Sequence, residues 1–181
     1  MVEKEKNQKD IIVQELINSF GIDYIFDSKP INRIKNKPTI ENISSELNDL
    51  KEKINNINNC DLKKNGKQIV FSDGNSKSPV MIVGEGPGQK EDELGKPFVG
   101  DAGQLLNKML AAINIKRENI YITNVVNFRP PNNRKPELAE INRYSEFLRE
   151  HISIINPKIL ILMGSTAMEA LFGAKIKISK E

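Results

Sequence analysis

Two carboxylates and one aromatic ring sit on a glycine- and proline-rich stretch, V-G-E-G-P-G-Q-K-E-D-E-L-G-K-P-F-V-G, at residues 83–100. They are Glu85, Glu91 and Phe98, carried on backbone that can approach a ligand closely. The spelling is not that of a phosphate cradle. A P-loop needs G-x-x-x-x-G-K-[ST], but Gly95-Lys96 is followed by Pro97 and Lys90 stands where the earlier glycine belongs. The dinucleotide fingerprint G-x-G-x-x-G does not register on Gly84, Gly86 and Gly88 either, and Glu85 sets a negative charge where a phosphate would lie. The expected ligand is therefore uncharged, flat and hydrogen-bonding.

The elements that must position these residues follow from periodicity. Residues 69–71 read as a short strand ended by the turn Asp73-Gly74-Asn75, and residues 80–83 read as a buried strand. Asp101 reads as an N-cap with Gln104 three residues on, opening a helix that buries Leu105, Leu106, Met109, Leu110 and Ile113. Residues 120–126 form the next strand. Pro136 occupies a first helical turn, and Leu138, Ile141, Leu148, Ile152 and Ile155 make that helix's apolar stripe, which Asn156-Pro157 stops. Residues 159–163 form another buried strand, followed by Gly164 and a helix with Thr166 and Glu169 as a second capping box. Strands alternating with helices predict a three-layer α/β/α sandwich with a central, mostly parallel sheet. Ligands in such sheets bind at the carboxyl ends of the strands. Glu85 and Asn124 both fall at such ends, so they are expected to share one site.

Composition divides the chain near residue 64. Residues 1–64 read as a helical, Asn/Lys-rich extension and linker, and residues 65–181 as the α/β domain. In the first part Ile11, Ile12, Leu16, Ile17 and Phe20 recur at helical spacing, residues 27–38 are polar with two prolines, and Ile43, Leu47, Leu50 and Ile54 lie on one face of a helix at 43–57. Gln14, Ile17 and Phe20 faintly resemble a sliding-clamp peptide without its second aromatic; a plain amphipathic helix is the reading adopted. The net charge of +3 permits nucleic-acid binding through a local patch without demanding it. The single cysteine, Cys60, excludes an intrachain disulfide and fits a reducing cytosol. No apolar run approaches the ~20 residues of a bilayer span. A cytoplasmic monomer with no membrane or protein partner is expected.

The motif order is more specific than any single residue. G-E-G-P-G-x-x-E-D-x-x-G-x-P-F-V-G-x-A-G-x-L-L, then Y-I-T-N-V-V, R-P-P-N-N-R-K-P and I-N-P-K-I-L-I-L-M-G, resembles the family 4 uracil-DNA glycosylases over residues 60–173. Taken singly, Phe98 could plug a core, Asn124 could cap a strand and Glu91 could edge a solvated loop. Their order and spacing favour the family. The resemblance implies uracil-containing DNA as substrate, with the base flipped out of the stack into a pocket. It implies that Phe98 stacks on the ring, that Asn124 reads O4 and N3–H, and that Glu91 lies near C5 and excludes the thymine methyl. Glu85 and the Gly86 backbone would shape the pocket, with Glu85 orienting a water or polar partner, and Asn133 would lie near the scissile bond. Lys90, Lys96, Arg129, Arg134 and Lys135 are the expected phosphate contacts.

Two departures from that family stand out. Many members hold an iron–sulfur cluster on four cysteines; here the positions read Ile57, Cys60, Phe128 and Tyr144, so no cofactor is expected. The family's H-P-S-x-L-L motif, whose histidine stabilises charge on uracil O2, does not occur through Glu181. The only histidine, His151, lies within a helix and reads as a surface or core position. The expectation is a C-terminally truncated form, weakly active at best, with a uracil- or DNA-binding module as the alternative. A nucleotide-phosphate binder is disfavoured by Glu85, and excision of other deaminated bases such as hypoxanthine is left open.

Overall fold

The computed structural model describes residues 40–173. The helix expected around residues 11–20, its clamp-like segment and the linker at 27–38 lie outside them. The elements run α1 (Ile40–Asn55), α2 (Asp61–Asn65), β1 (Ser72–Gly74), β2 (Val80–Gly84), α3 (Gln89–Leu94), α4 (Asp101–Ala112), a 3-10 turn (Arg117–Asn119), β3 (Tyr121–Asn124), a second 3-10 turn (Pro131–Asn133), α5 (Leu138–Ile155), β4 (Ile159–Leu162) and α6 (Ser165–Phe172). The sheet order is β1-β3-β2-β4. Strand β2 runs parallel to both β3 and β4, while β1 is antiparallel to β3.

Side-chain alternation along the strands makes the three layers. Met81 and Val83 of β2 face one core, shared with Leu50 and Ile54 of α1, Tyr144 and Leu148 of α5 and Ala167 of α6. Ile82 of β2 and Ile122 of β3 face the other, covered by Leu106 and Leu110 of α4. The chain therefore leaves β2 toward one face and leaves β3 and β4 toward the opposite face. That divergence opens a crevice at the carboxyl ends of the strands. The sandwich is the expected α/β class, and α1 contributes to the same core as the sheet. Among the described residues no helix is long and apolar enough to cross a membrane.

Several local expectations need correction. Residues 69–71 are not a strand. Val70 donates its N–H to the Asn127 carbonyl at 2.8 Å, and the Asn127 side-chain amide returns to the Val70 carbonyl at 3.1 Å, a local pair that displaces the ladder to Ser72–Gly74. Asp101 is not the N-cap of α4. Gly100 is, because the Asp101 carboxylate accepts from Lys90 Nζ at 2.9 Å instead. Of the apolar residues expected under α4, only Leu106 and Leu110 are buried; Leu105, Met109 and Ile113 are exposed because the strand residues facing α4 meet one side of the helix alone. Helix α5 begins at Leu138, one turn-forming residue after Pro136, with a Glu137/Glu140 capping box, and Leu138 is exposed. Strand β4 is half-covered, not buried: Leu160 and Leu162 pack on the core, whereas Ile159 and Ile161 face outward. Helix α6 is capped by the Gly164 backbone with no side-chain cap, since the Thr166 hydroxyl is engaged elsewhere.

His151 lies in the core at 2% exposure. Its ring stacks on Phe71, with centroids 4.6 Å apart, and its Nε2 lies 2.7 Å from the Tyr121 hydroxyl. Burial pushes its pKa down to about 3, so the folded protein holds the neutral ring, while the unfolded chain takes up a proton near 6.5. Stability is full above that unfolded value and falls as pH drops toward 3, at about 1.4 kcal/mol per unit. Urea unfolding of the wild type is expected to lose about 2 kcal/mol between roughly pH 6.5 and 5, and His151→Gln is expected to lose much less. A wild-type profile flat over that window would contradict a buried neutral imidazole.

Candidate functional site

Parallel pairing of β2 with β3 sets Gly84 opposite Asn124 at the carboxyl end of the sheet. The pairing continues past the strands: Val125 N–H donates to the Gly84 carbonyl at 2.9 Å and Val126 N–H to the Glu85 carbonyl at 3.2 Å. The glycine-rich loop therefore starts from a fixed point. A Cβ at position 84 would come within 2.5 Å of both Asn124 Oδ1 and the edge of the Phe98 ring. The amide and the aromatic thus meet over a residue with no side chain. They line an open cavity of about 340 Å³, together with Glu85, Gly86, Glu91 and Met163. Asn124 is only 3% exposed, yet its Nδ2 has no hydrogen-bond partner among the described residues. Leaving a buried donor unsatisfied costs about 1–3 kcal/mol, and such groups are rare. An amide donor of this kind fits a ligand carbonyl.

Phe98 holds a left-handed backbone, φ 53°, which a bulky residue adopts rarely. Glu91 supports that loop from within. Its carboxylate accepts from the N–H groups of Val99 (2.9 Å), Gly100 (2.7 Å) and Gly88 (3.1 Å). The neighbouring Asp92 accepts from Lys67 N–H at 2.8 Å, anchoring the segment ahead of β1 to α3. Glu85 is exposed on the other side of the cavity, and its Oε2 accepts from Thr166 Oγ1 at 2.5 Å. Thr166 is fully buried at the start of α6, so this contact joins the loop to the end of β4.

The remaining sequence-derived candidates surround this cavity without all entering it. Asn133, also at positive φ, accepts from Arg129 Nε at 2.7 Å and lines adjoining depressions beside Gly88 and Arg134, outside the Asn124 cavity. Lys90 pairs with Asp101 at 2.9 Å, which raises the Lys90 pKa and lowers that of Asp101. Lys96 Nζ lies 3.9 Å from Asp73, and Lys135 Nζ lies 3.4 Å from Ser165 Oγ. Arg134 forks onto Glu140 at 2.8 and 2.7 Å, holding the Glu140 carboxyl below its usual range.

The model of the uracil DNA glycosylase superfamily matches residues 71–180. The chain belongs to that superfamily. It is 42% identical over 130 residues to the type-4 uracil-DNA glycosylase of Thermotoga maritima, a match covering 71% of this chain and 68% of the relative. It is 41% identical over 126 residues to the type-4 enzyme of Archaeoglobus fulgidus (70% and 63%) and 44% identical over 126 residues to that of Pyrobaculum aerophilum (70% and 64%). The matched segment thus spans roughly two thirds of those relatives' lengths.

Within this superfamily member, the four positions that would hold an iron–sulfur cluster do not fit one. Ile57, Cys60, Phe128 and Tyr144 are all buried in the larger core, and Cys60 Sγ lies 3.4 Å from the Tyr144 hydroxyl. Burial pushes the Tyr144 phenol pKa up, so it stays neutral. One thiol among apolar and aromatic groups cannot ligate a four-cysteine cluster. Thr166 was missed as a site residue. Its position just past the carboxyl end of β4, the same end as Glu85 and Asn124, was the available signal.

Truncating the Glu91 carboxylate strips the acceptor from three N–H groups at once. Glu91→Ala is expected to lower unfolding free energy by about 2–4 kcal/mol in urea titration, and a change under about 0.5 kcal/mol would contradict the bonding described.

Proposed function

We propose that the chain is a uracil-DNA glycosylase that hydrolyses the N-glycosidic bond of uracil in DNA. One observation carries the reading: the buried Asn124 Nδ2, without a partner among the described residues, on an amide that meets the Phe98 ring edge over Gly84. An extruded uracil stacks on that ring. It donates N3–H to Asn124 Oδ1 and accepts from Nδ2 at O4, whereas cytosine presents an acceptor at N3 and a donor at C4 and so mismatches both. Water then adds at C1′ of the sugar through an oxocarbenium-like state, the C1′–N1 electron pair leaves with the uracil anion, and the proton lost by the added water passes to solvent. Glu85, fixed by Thr166, orients a water or polar partner for that step, and Asn133 sits toward the sugar-phosphate side. Glu91 bounds the C5 edge of the pocket against a methyl group. Lys90, Lys96, Arg129, Arg134 and Lys135 supply phosphate contacts, with affinity that falls as salt rises.

A second reading is favoured by His151. It is the chain's only histidine and is fixed in the core against Phe71 and Tyr121. Among the described residues the one imidazole is thus held away from the Asn124 cavity. The second reading is recognition of uracil or DNA without turnover.

Single-uracil oligonucleotides with the wild type and Asn124→Ala separate these readings. The glycosylase reading expects uracil release by the wild type and a fall of about 10²-fold in Asn124→Ala, the loss of two hydrogen bonds to the base. Binding of the uracil strand without release supports the second reading. Release that Asn124→Ala leaves unchanged would overturn the pocket assignment.

A further inference from the structure

The Phe98–Val99 peptide is gripped at both poles. Its N–H, on Val99, donates to Glu91 Oε1 at 2.9 Å. Its carbonyl, on Phe98, accepts from Arg117 Nη1 at 3.0 Å, and Arg117 Nη2 donates to the preceding Pro97 carbonyl at 2.6 Å. The rest of the guanidinium is engaged as well: Nε donates to Asp73 Oδ2 at 2.8 Å, and Nη1 also reaches Asn107 Oδ1 at 3.2 Å. Arg117 lies in the 3-10 turn just before β3, the strand that carries Asn124.

We infer that Arg117 is a positioning residue for the base pocket: together with Glu91 it clamps the Phe98–Val99 peptide and so fixes the Phe98 ring over Gly84 and against Asn124. Phe98 stands at φ 53°, a conformation it would leave by rotation about its N–Cα bond, which turns the Pro97–Phe98 and Phe98–Val99 peptides against each other; Arg117 holds the carbonyls of both. Rotation would break the arginine contacts on one side and the glutamate contact on the other. Helix α4 closes in behind the same carbonyl, since a Cβ on Gly103 would fall 1.9 Å from Phe98 O. A cation on the carbonyls and an anion on the N–H groups are the charge-assisted pairings that resist such a flip most strongly. The planar fork is required as well. A lysine could keep the ion pair with Asp73, but as a single point charge it could not also span two successive carbonyls and Asn107. Because Arg117 is continuous with β3, the clamp references the stacking ring to the strand that bears the reading amide.

The role in base recognition rests on the glycosylase reading, so the test has one arm that depends on it and one that does not. In the first arm, kcat/KM for uracil release is measured for Arg117→Lys, Arg117→Met, Phe98→Ala and the Arg117→Met/Phe98→Ala double variant. Both arginine variants are expected to fall by about 10²-fold, the scale of an ångström-level misplacement. In the Phe98→Ala background Arg117→Met should change the rate by less than about threefold, because the ring through which it acts is gone. Fully additive losses, or an Arg117→Lys rate equal to wild type, would overturn the proposal, the latter by reducing Arg117 to its ion pair with Asp73. In the second arm, amide hydrogen exchange is followed by NMR without DNA. Arg117→Met should speed exchange at Val99 by at least about tenfold while leaving Leu106 of α4 protected. Unchanged exchange at Val99 would overturn the clamp. A wild type that neither releases nor binds uracil DNA, with faster exchange at Val99 in the variant, would leave the clamp standing and remove the glycosylase reading.

Discussion

A bare α-carbon at position 84 is the constraint on which the site depends. Parallel register places it beside Asn124, and any side chain there would collide at 2.5 Å with the amide oxygen and with the Phe98 ring. With that space open, a donor–acceptor amide and an aromatic face can bound one cavity from two different parts of the chain. The same geometry isolates the amide. Asn124 is 3% exposed, and no group among the described residues bonds its Nδ2. A planar ligand with a carbonyl, seated in that cavity, would give the donor a partner.

The loop that brings Phe98 into place is held electrostatically more than by packing. Glu91 gathers three backbone N–H groups from both ends of the glycine-rich stretch, and Arg117 gathers two of its carbonyls. Charge directed at backbone dipoles stiffens a segment whose composition offers little side-chain packing of its own. Behind it, the larger core runs from α1 through the sheet to α5 without metal ligation at Ile57, Cys60, Phe128 and Tyr144; packing and the Cys60–Tyr144 contact occupy that region.

Strand and helix order was legible because β-branched runs and helical stripes alternate cleanly, and the parallel sheet follows from that alternation. The sharing of one site by Glu85 and Asn124 was legible for the same reason, since both stand at carboxyl ends. Helix starts were misread where a cap-type side chain has a stronger partner: Asp101 goes to Lys90 and Thr166 to Glu85, leaving the caps to Gly100 and Gly164. Periodicity marked the apolar rows of α4 but not how wide a face the sheet would cover, hence the exposed Leu105, Met109 and Ile113. The left-handed backbone of Phe98 has no signature in residue type. It is imposed by Arg117 and Glu91, which lie nineteen and seven positions away in sequence and come together only in the fold.

The central claim is that the Asn124 amide reads the edge of a uracil ring. Its side-chain resonances, followed in a protein labelled with ¹⁵N-asparagine during titration with free uracil, thymine and cytosine, test that claim most directly. The account predicts that uracil shifts the Asn124 Nδ2 protons strongly downfield, whereas cytosine and thymine at equal concentration leave them near their starting positions. An amide that does not respond to saturating uracil, or that responds equally to cytosine, would contradict it.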